Sequence, residues 1–566
     1  MSRPPTEHPP DDTPLPAEAA AAPLPENPSA RGRKVPSLLK AAGLIAVVTV
    51  ASKLLALVRD WQILHFYGAS LVSDAYNYAY QIPSFALILL GGLGGPFHTV
   101  TISVFTRLLE KKHGDDKASL TAEAKRLAGT FITLTGIVFA LLSVVLFLFA
   151  EPVMGFILQQ SQHPEVIANA AQQLRIMSPV FFLGGVIGIF YGFSNLFHSY
   201  FWPSFSPAIV NLLLILALII LPFDPTGQIL AWTTLLGAVL QLAVQLPESV
   251  RHGVPLRPML SGWRAPEMRT IRDMLLPTMI GTTIGQTITY VDMFFTATLP
   301  GGGWTAIVQA NRLIQFPIGV LQTALLVPIF PRFSRYAAEG DHESLRRDFR
   351  RGVVSLWIVS IPMLVFMLFY AGDVIRIVYQ HGNFTARDTA LVTTAVLWQA
   401  FQIIPYFARD SLTRIFYAFQ DGRTPLLVGG IAIGLKALLD WYLVSIPGFG
   451  VSGITLATSL ITLINMTLLA ILSRKHLRGL GFGRMAQELA KLLLAGVAMA
   501  AVIAGFQSVV QPNLTSLLPS MPHWLLEVLA MVLAGGLGLA FYAGLAVLLK
   551  IPEAEYLLQR LRRKGA

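Results

Sequence analysis

The chain has 566 residues, 54% hydrophobic and 13% charged, with a mean hydropathy of +0.61; soluble domains carry roughly 25% charged residues, so this composition excludes one and indicates a polytopic membrane protein. The formal net charge of +11 is spread over short gaps between apolar runs, which fits loops facing anionic lipid and argues against nucleic acid as a partner. The absence of cysteine excludes disulfides, thiolate metal sites and cysteine nucleophiles.

Residues 1–35 are rich in Pro, Ala and Glu and contain no aromatic residue, the composition of a disordered tail. The first apolar run begins only near Ala41, too far in for a cleaved signal peptide. A span needs about 20 apolar residues. Candidates fall near 40–64, 72–95, 127–150, 170–194, 205–222, 228–247, 274–299, 305–330, 352–371, 390–418, 425–445, 451–473, 486–508 and 523–549. Most of the 42 Lys and Arg lie in every second gap, for example Arg107 to Arg126, Arg251 to Arg272 and Arg332 to Arg351, while the stretches Glu151 to Glu165 and Gln511 to His523 have none. The positive-inside rule therefore puts both termini in the cytoplasm.

The chain also repeats itself weakly. Val153 to Ile157, Asn195 to His198 and Pro203 recur as Val374 to Val378, Arg414 to Tyr417 and Pro425. Gln81-Ile82-Pro83 with Arg107 recurs as Gln315-Phe316-Pro317 with Arg332. Copies separated by an even number of spans keep one orientation, which predicts two six-helix halves around a central cavity, 36–250 and 251–475, followed by two extra helices and a basic tail in 476–566. The expected fold is all-α, with about fourteen transmembrane helices, because only helices or closed barrels satisfy the backbone in lipid and no alternating strand pattern is present.

A charge in mid-membrane costs about 2.5 to 3.5 kcal/mol unless it finds water or a partner, so polar residues within spans point to function. Span one carries Lys53, Arg59 and Asp60; span two has Asp74, Asn77 and Gln81 at i, i+3 and i+7. Span seven shows Thr282, Gln286 and Thr289 with Asp292 at the edge of their stripe, and span eight has Arg312, Gln315, Gly319 and Gln322 along one side with Asn311 beside them. Each of these helices thus has a wet face. Two readings stand: interhelical ion pairs such as Arg59 with Asp60 or Asp74, or cations lining a cavity for an anionic substrate. Lys53 and Arg312 are the least able to snorkel out. Lys436 and Asp440 are spaced i, i+4 and able to neutralise each other, and Arg409, Asp410 and Arg414 form a further candidate network.

Gly91, Gly92, Gly94, Gly95 and Pro96 interrupt the end of span two, and Gly301 to Gly303 join spans seven and eight; such breaks bend helices or unwind backbone around a cavity. They lack the Lys-Ser or Lys-Thr of a phosphate loop, and His98 beyond them reads as a packed histidine. No metal-binding or nucleophile motif is apparent, so no catalytic residue, metal or cofactor is expected.

The segments Lys53 to Asp60, Phe66-Tyr67-Gly68-Ala69, Ser73-Asp74-Ala75-Tyr76 and Ile82-Pro83, together with Asn311 to Val320, Tyr379 to Thr385 and Gln420 to Pro425, resemble the MurJ/MviN family of lipid II flippases. That family sits within a superfamily that includes multidrug and polysaccharide exporters, and the resemblance runs from about residue 38 to the C-terminus. It implies a fourteen-helix fold whose cationic cavity holds the diphosphate and sugars of lipid II, with a groove by the last two helices for the polyprenyl tail. Arg59, Asp74 and Arg312 match positions the family associates with substrate, and Lys53 stands where an arginine is usual; Asp60, Asn77, Gln81, Gln286, Asp292, Asn311 and Gln315 would support the site or its coupling. The chain departs from the family at Leu87 to Gly92, where an Arg pair, an acidic residue and glycine are common.

The expectation is a monomeric transporter, not an enzyme, in the bacterial cytoplasmic (inner) membrane. It would move lipid II to the outer leaflet by alternating access, driven by the membrane potential, with membrane lipids as its other partners and a coupling ion left open. A polysaccharide-lipid flippase or an ion-coupled multidrug exporter is the alternative.

Overall fold

Peptide groups in lipid have no water to bond, so long apolar runs close their hydrogen bonds internally as helices. In the computed structural model every regular element among the described residues is helical. The structure describes residues 36–554 apart from 93, 113–119, 160, 162, 323–328, 478–480 and 514–520; the tail of residues 1–35 and the basic C-terminal residues past 554 lie outside them.

Helix α1 (Pro36–Tyr67) ends at Gly68, whose φ of +62° is the left-handed turn that glycine tolerates. Helix α2 (Leu71–Ser84) starts with a capping box, Ser70 and Ser73 each serving the other's backbone N–H. It passes into a π-helical turn, Phe85–Leu90, before the glycine break and α3 (Pro96–Lys112). The break has a packing cause: a Cβ on Gly91 would lie 1.9 Å from the carbonyl oxygen of Gly184, so only glycine lets the two backbones approach this closely.

Then come α4 (Ala122–Leu148), α5 (Ala150–Ile157), α6 (Pro164–Leu196), α7 (Phe201–Ile220), α8 (Gln228–Ala243), α9 (Leu246–Arg251), α10 (Pro266–Thr296) and α11 (Gly303–Leu321). The remainder comprises α12 (Phe330–Glu339), α13 (His342–Tyr379), α14 (Ala386–Ala400), α15 (Ile403–Ala418), α16 (Arg423–Ser445), α17 (Gly450–Leu472), α18 (Arg474–Leu477), α19 (Phe482–Gly505) and α20 (His523–Leu548). Among the described residues nine helices are long and apolar enough to cross a membrane, or ten if α14 and α15, bent by 48° at their junction, form one broken span. Pro405 in the first turn of α15 has no N–H to continue the α14 ladder, which accounts for the bend. Helices α10 and α11 are long enough but too polar to join that set, and they are two of the helices read as having a wet face.

Buried apolar side chains form three clusters. One joins α1, α2, α6, α11, α13 and α14 through residues such as Leu64, Tyr78, Ile187, Trp304 and Phe407 of α15. A second binds α13 and α15 to α19 and α20, and a third joins α3, α4 and α6 to the start of α10 at Ile271. Helix α10 therefore begins against α3 and α4 yet ends against α16 and α17. Large apolar side chains that stay exposed, such as Leu141, Val145 and Leu148 on α4 and Leu537 and Phe541 on α20, form the outward, lipid-directed surface that a membrane protein leaves uncovered.

Candidate functional site

The wet faces of α1 and α11 meet at Asp60. Arg59 donates to Asp60 Oδ1 through Nε at 3.0 Å and Nη2 at 2.7 Å, and Arg312 reaches the same oxygen through Nη1 at 2.6 Å. Two guanidiniums on one carboxylate leave a net positive charge, with Tyr76, Tyr80 and Tyr379 near enough to interact electrostatically with it. The two arginines are not equivalent. Arg59 is buried, and its Nη1 donates to Asn211 Oδ1 of α7 at 2.9 Å, so its fork is spent inside the protein. Arg312 keeps 26% of its side chain exposed. Lys53, two turns back along α1, is exposed, with its ammonium directed at Gly319 of α11, 3.3 Å from where a Cβ there would stand. Arg312 and Gly319 thus lie on the side of α11 that faces α1, as their spacing predicts, and Gln315 between them in sequence is exposed.

Asp74 has a different setting. Its Oδ2 accepts from the backbone N–H of Gly302 at 2.7 Å, and its Oδ1 accepts from both the N–H and the hydroxyl of Thr305 at 2.7 Å. A carboxylate from α2 therefore caps the N-terminus of α11, where unpaired N–H groups and the helix dipole favour an anion. Asn77, one turn on, donates to the Thr305 hydroxyl at 3.0 Å. At the same end of the bundle the turn after α1 is gripped by the loop between α13 and α14: Asn383 donates from its backbone to His65 at 2.8 Å and from its side chain to Phe66 at 2.6 Å. The segments 66–76, 301–305 and 379–385 thus form one clasp across elements far apart in sequence. Asp74 and Asn77 belong to that clasp rather than to the exposed face around Arg312.

The other expected residues divide. Gln81 and Gln286 are half-buried on the faces predicted for them. Asn311 points to α14, accepting from Gln399 at 3.0 Å. Asp292 is buried and accepts from Lys436 of α16, which also holds Asp440 at 2.6 Å; the i, i+4 pair is present, with a second carboxylate added. In the second half, Arg414 and Gln322 both bond Asp410 Oδ2 at 3.0 Å, and the Arg409 guanidinium lies over Tyr406 at 4.6 Å. Where the family arginines are missing, Leu87 is buried and Ile88 is 58% exposed. Reasoning from sequence missed Asn211, whose signal was a lone amide in an otherwise apolar stretch, and Thr305, which carries no polar pattern of its own; Asn383 stood in the family-like segment Tyr379 to Thr385 but without a role.

An all-α, multi-pass bundle with cations at the contact of two polar-faced helices has the architecture of a membrane transporter. The family model described as "Lipid II flippase MurJ" matches residues 63–522. A probable lipid II flippase MurJ of Synechocystis is 32% identical over 548 residues, covering 95% of this chain and 99% of the relative; that of Vibrio cholerae is 25% identical over 531 residues, covering 91% and 96%. Among solved structures, "Lipid II flippase MurJ, inward closed conformation" superposes with a TM-score of 0.68 at 20% identity, covering 88% of this chain and 97% of that one. An inward-facing multidrug resistance MATE family transporter of the MOP superfamily gives 0.60 at 12% identity, covering 77% and 98%, a likeness of fold alone. The chain belongs to the lipid II flippase MurJ family.

Proposed function

We propose that the protein is a lipid II flippase of the cytoplasmic (inner) membrane, carrying the undecaprenyl-diphosphate-linked peptidoglycan precursor from the cytoplasmic to the outer leaflet by alternating access. The carrying observation is that Arg312 stays partly exposed beside the α11 face that Lys53 meets, while Asp60, itself braced by Arg59, holds it from behind. In this reading the ten apolar spans and the polar-faced α1, α2 with α3, α10 and α11 make up fourteen, grouped as 36–250, 251–475 and 476–566. Both termini are cytoplasmic and the chain works as a monomer. The clasp of Asp74, Thr305 and Asn383 then lies on the outer side and seals it.

With the cavity open inward, Arg312 and Lys53 attract the diphosphate, replacing its hydration by charge-assisted hydrogen bonds. Lys53, standing where the family has arginine, supplies charge without a bidentate fork. Gln315, Gln81 and Gln286 offer amides to sugar hydroxyls, and a groove by α19 and α20 takes the polyprenyl chain. Opening of the clasp exposes the headgroup outward. An inside-negative potential favours outward movement of negative charge by about 2.3 kcal/mol per charge per 100 mV, so the potential drives or resets the cycle without ATP. The test is transport by Arg312→Ala, which should reach the membrane folded and flip lipid II about ten- to hundredfold more slowly; normal flipping by that variant would refute the cationic site.

A further inference from the structure

Three charged side chains outside the headgroup site are buried together where α10, α16 and α17 meet. Lys436 and Asp440 are 0% exposed and Asp292 is 6% exposed. The Lys436 ammonium donates to Asp292 Oδ1, to Asp440 Oδ1 at 2.6 Å and to the backbone carbonyl of Ile454 at 3.3 Å, which uses all three of its hydrogens. Helix α17 brings no charged side chain, and the only one on α11 is Arg312, already held by Asp60.

The charges in this cluster do not cancel. Two carboxylates, Asp292 and Asp440, accept from the one Lys436 ammonium, and Asp440 Oδ2 is buried with no donor. A buried acceptor without a donor is costly, and an excess buried charge more so. One proton shared between the carboxyls supplies the missing donor and makes the cluster neutral, whereas a metal cation finds its oxygen nest already filled by the ammonium. We propose that Asp292 and Asp440 form a proton-binding site, completed by the tethered cation of Lys436, that pins the Thr296 end of α10 to α16 and α17. Loss of the proton leaves a buried negative charge, relieved when Asp292, at the edge of the Thr282, Gln286 and Thr289 stripe, swings to water. The middle of α10 is loosely packed, two to three turns before Asp292, since a Cβ on Gly281 or Gly285 would meet nothing within 4 Å, so the helix can bend there as its buried end is released. The site thus couples proton occupancy to the position of α10, whatever the cargo.

The test is infrared titration of the purified full chain in lipid nanodiscs, reading the C=O stretch of protonated carboxyl groups. The wild type should show a band at neutral pH that is lost in Asp440→Asn and in Asp292→Asn. In Lys436→Met it should grow about twofold, because each carboxylate then needs its own proton. No band in the wild type, an unchanged band in Lys436→Met, or an unchanged band in both Asn variants would overturn the proposal. So would loss of the wild-type band when sodium replaces potassium at constant pH, which would make the nest a metal-cation site. Should an Asn variant fail to fold, Lys436→Met, which leaves both carboxyls neutral, carries the assignment alone.

Discussion

Arg59 and Arg312 grip the same carboxylate oxygen, yet removing them should have opposite consequences. Arg312→Ala leaves Asp60 paired with Arg59, so the bundle should keep its thermal stability while flipping falls by about ten- to hundredfold, the value of one hydrogen bond to a charged group; a flipping assay alongside a melting curve checks both halves. Arg59→Ala strands Asn211 and half-strands Asp60 in a buried place, and breaking such a pair costs about 3 to 5 kcal/mol, so its main effect should be a lowered Tm. Sequence reasoning offered Arg59 with Asp60 as a pair, and the structure has it; Arg312 as the second partner of Asp60 was hidden because that contact joins helices far apart in the chain. Asp421, in the turn between α15 and α16, carries a pH signature. Burial pushes its carboxyl up, but hydrogen bonds from His476 and Thr424 and the charge of Lys475 outweigh that and hold it well below the usual range. A depressed value stabilises the fold above the unfolded carboxylate pKa of about 3.9 and loses that contribution as pH falls through the folded value. Asp421→Asn should therefore lower Tm at neutral pH, with the difference from wild type narrowing in acid.

At the scale of elements, the cap that α2 places on α11 holds the clasp. Asp74→Asn keeps an acceptor but loses the charge that complements the helix dipole, worth about 0.3 to 2 kcal/mol, and it should shift molecules toward the unclasped state. Native cysteines being absent, the pair Leu71→Cys and Gly301→Cys, at positions in contact across the clasp, should crosslink readily in an otherwise wild-type chain and less in the Asp74→Asn background. Equal crosslinking in both would remove Asp74 from the clasp. The close approach of α2 and α6 sets a second expectation: Gly184→Ala puts a Cβ 2.6 Å from the backbone of Ala86, so its yield and Tm should drop. Helical periodicity marked the polar faces of α1, α2, α10 and α11, of which Asp60, Asp74, Asn77 and Asp292 are buried against neighbouring helices rather than open to water, and the glycine run marked the break. Which wet face meets which was hidden, because the partner of Asp74 lies 231 positions away, and only the family motifs around Gly68 and Asn383 hinted that those segments belong together.

For the molecule as a whole, apolar run length and the placement of Lys and Arg made an all-α, multi-pass protein legible from the chain alone, and the family resemblance reached the same answer as the comparisons. The candidate site was legible in part. Arg312 and Gly319, on one side of α11, meet Asp60 and Lys53 of α1, whereas Asp292 and Asn311 sat on predicted stripes but face α16 and α14, since periodicity gives a direction around one helix and says nothing of its neighbours. Outward transport of lipid II by this chain, with Arg312 needed for it, is what we propose. The direct measurement is the amount of lipid II in each leaflet of the native cell after depletion of the protein, with the wild type or Arg312→Ala then supplied as the sole copy. Lipid II should accumulate in the cytoplasmic leaflet on depletion, the wild type should clear it, and Arg312→Ala should clear it far more slowly; an unchanged leaflet distribution with altered drug efflux would overturn the proposal.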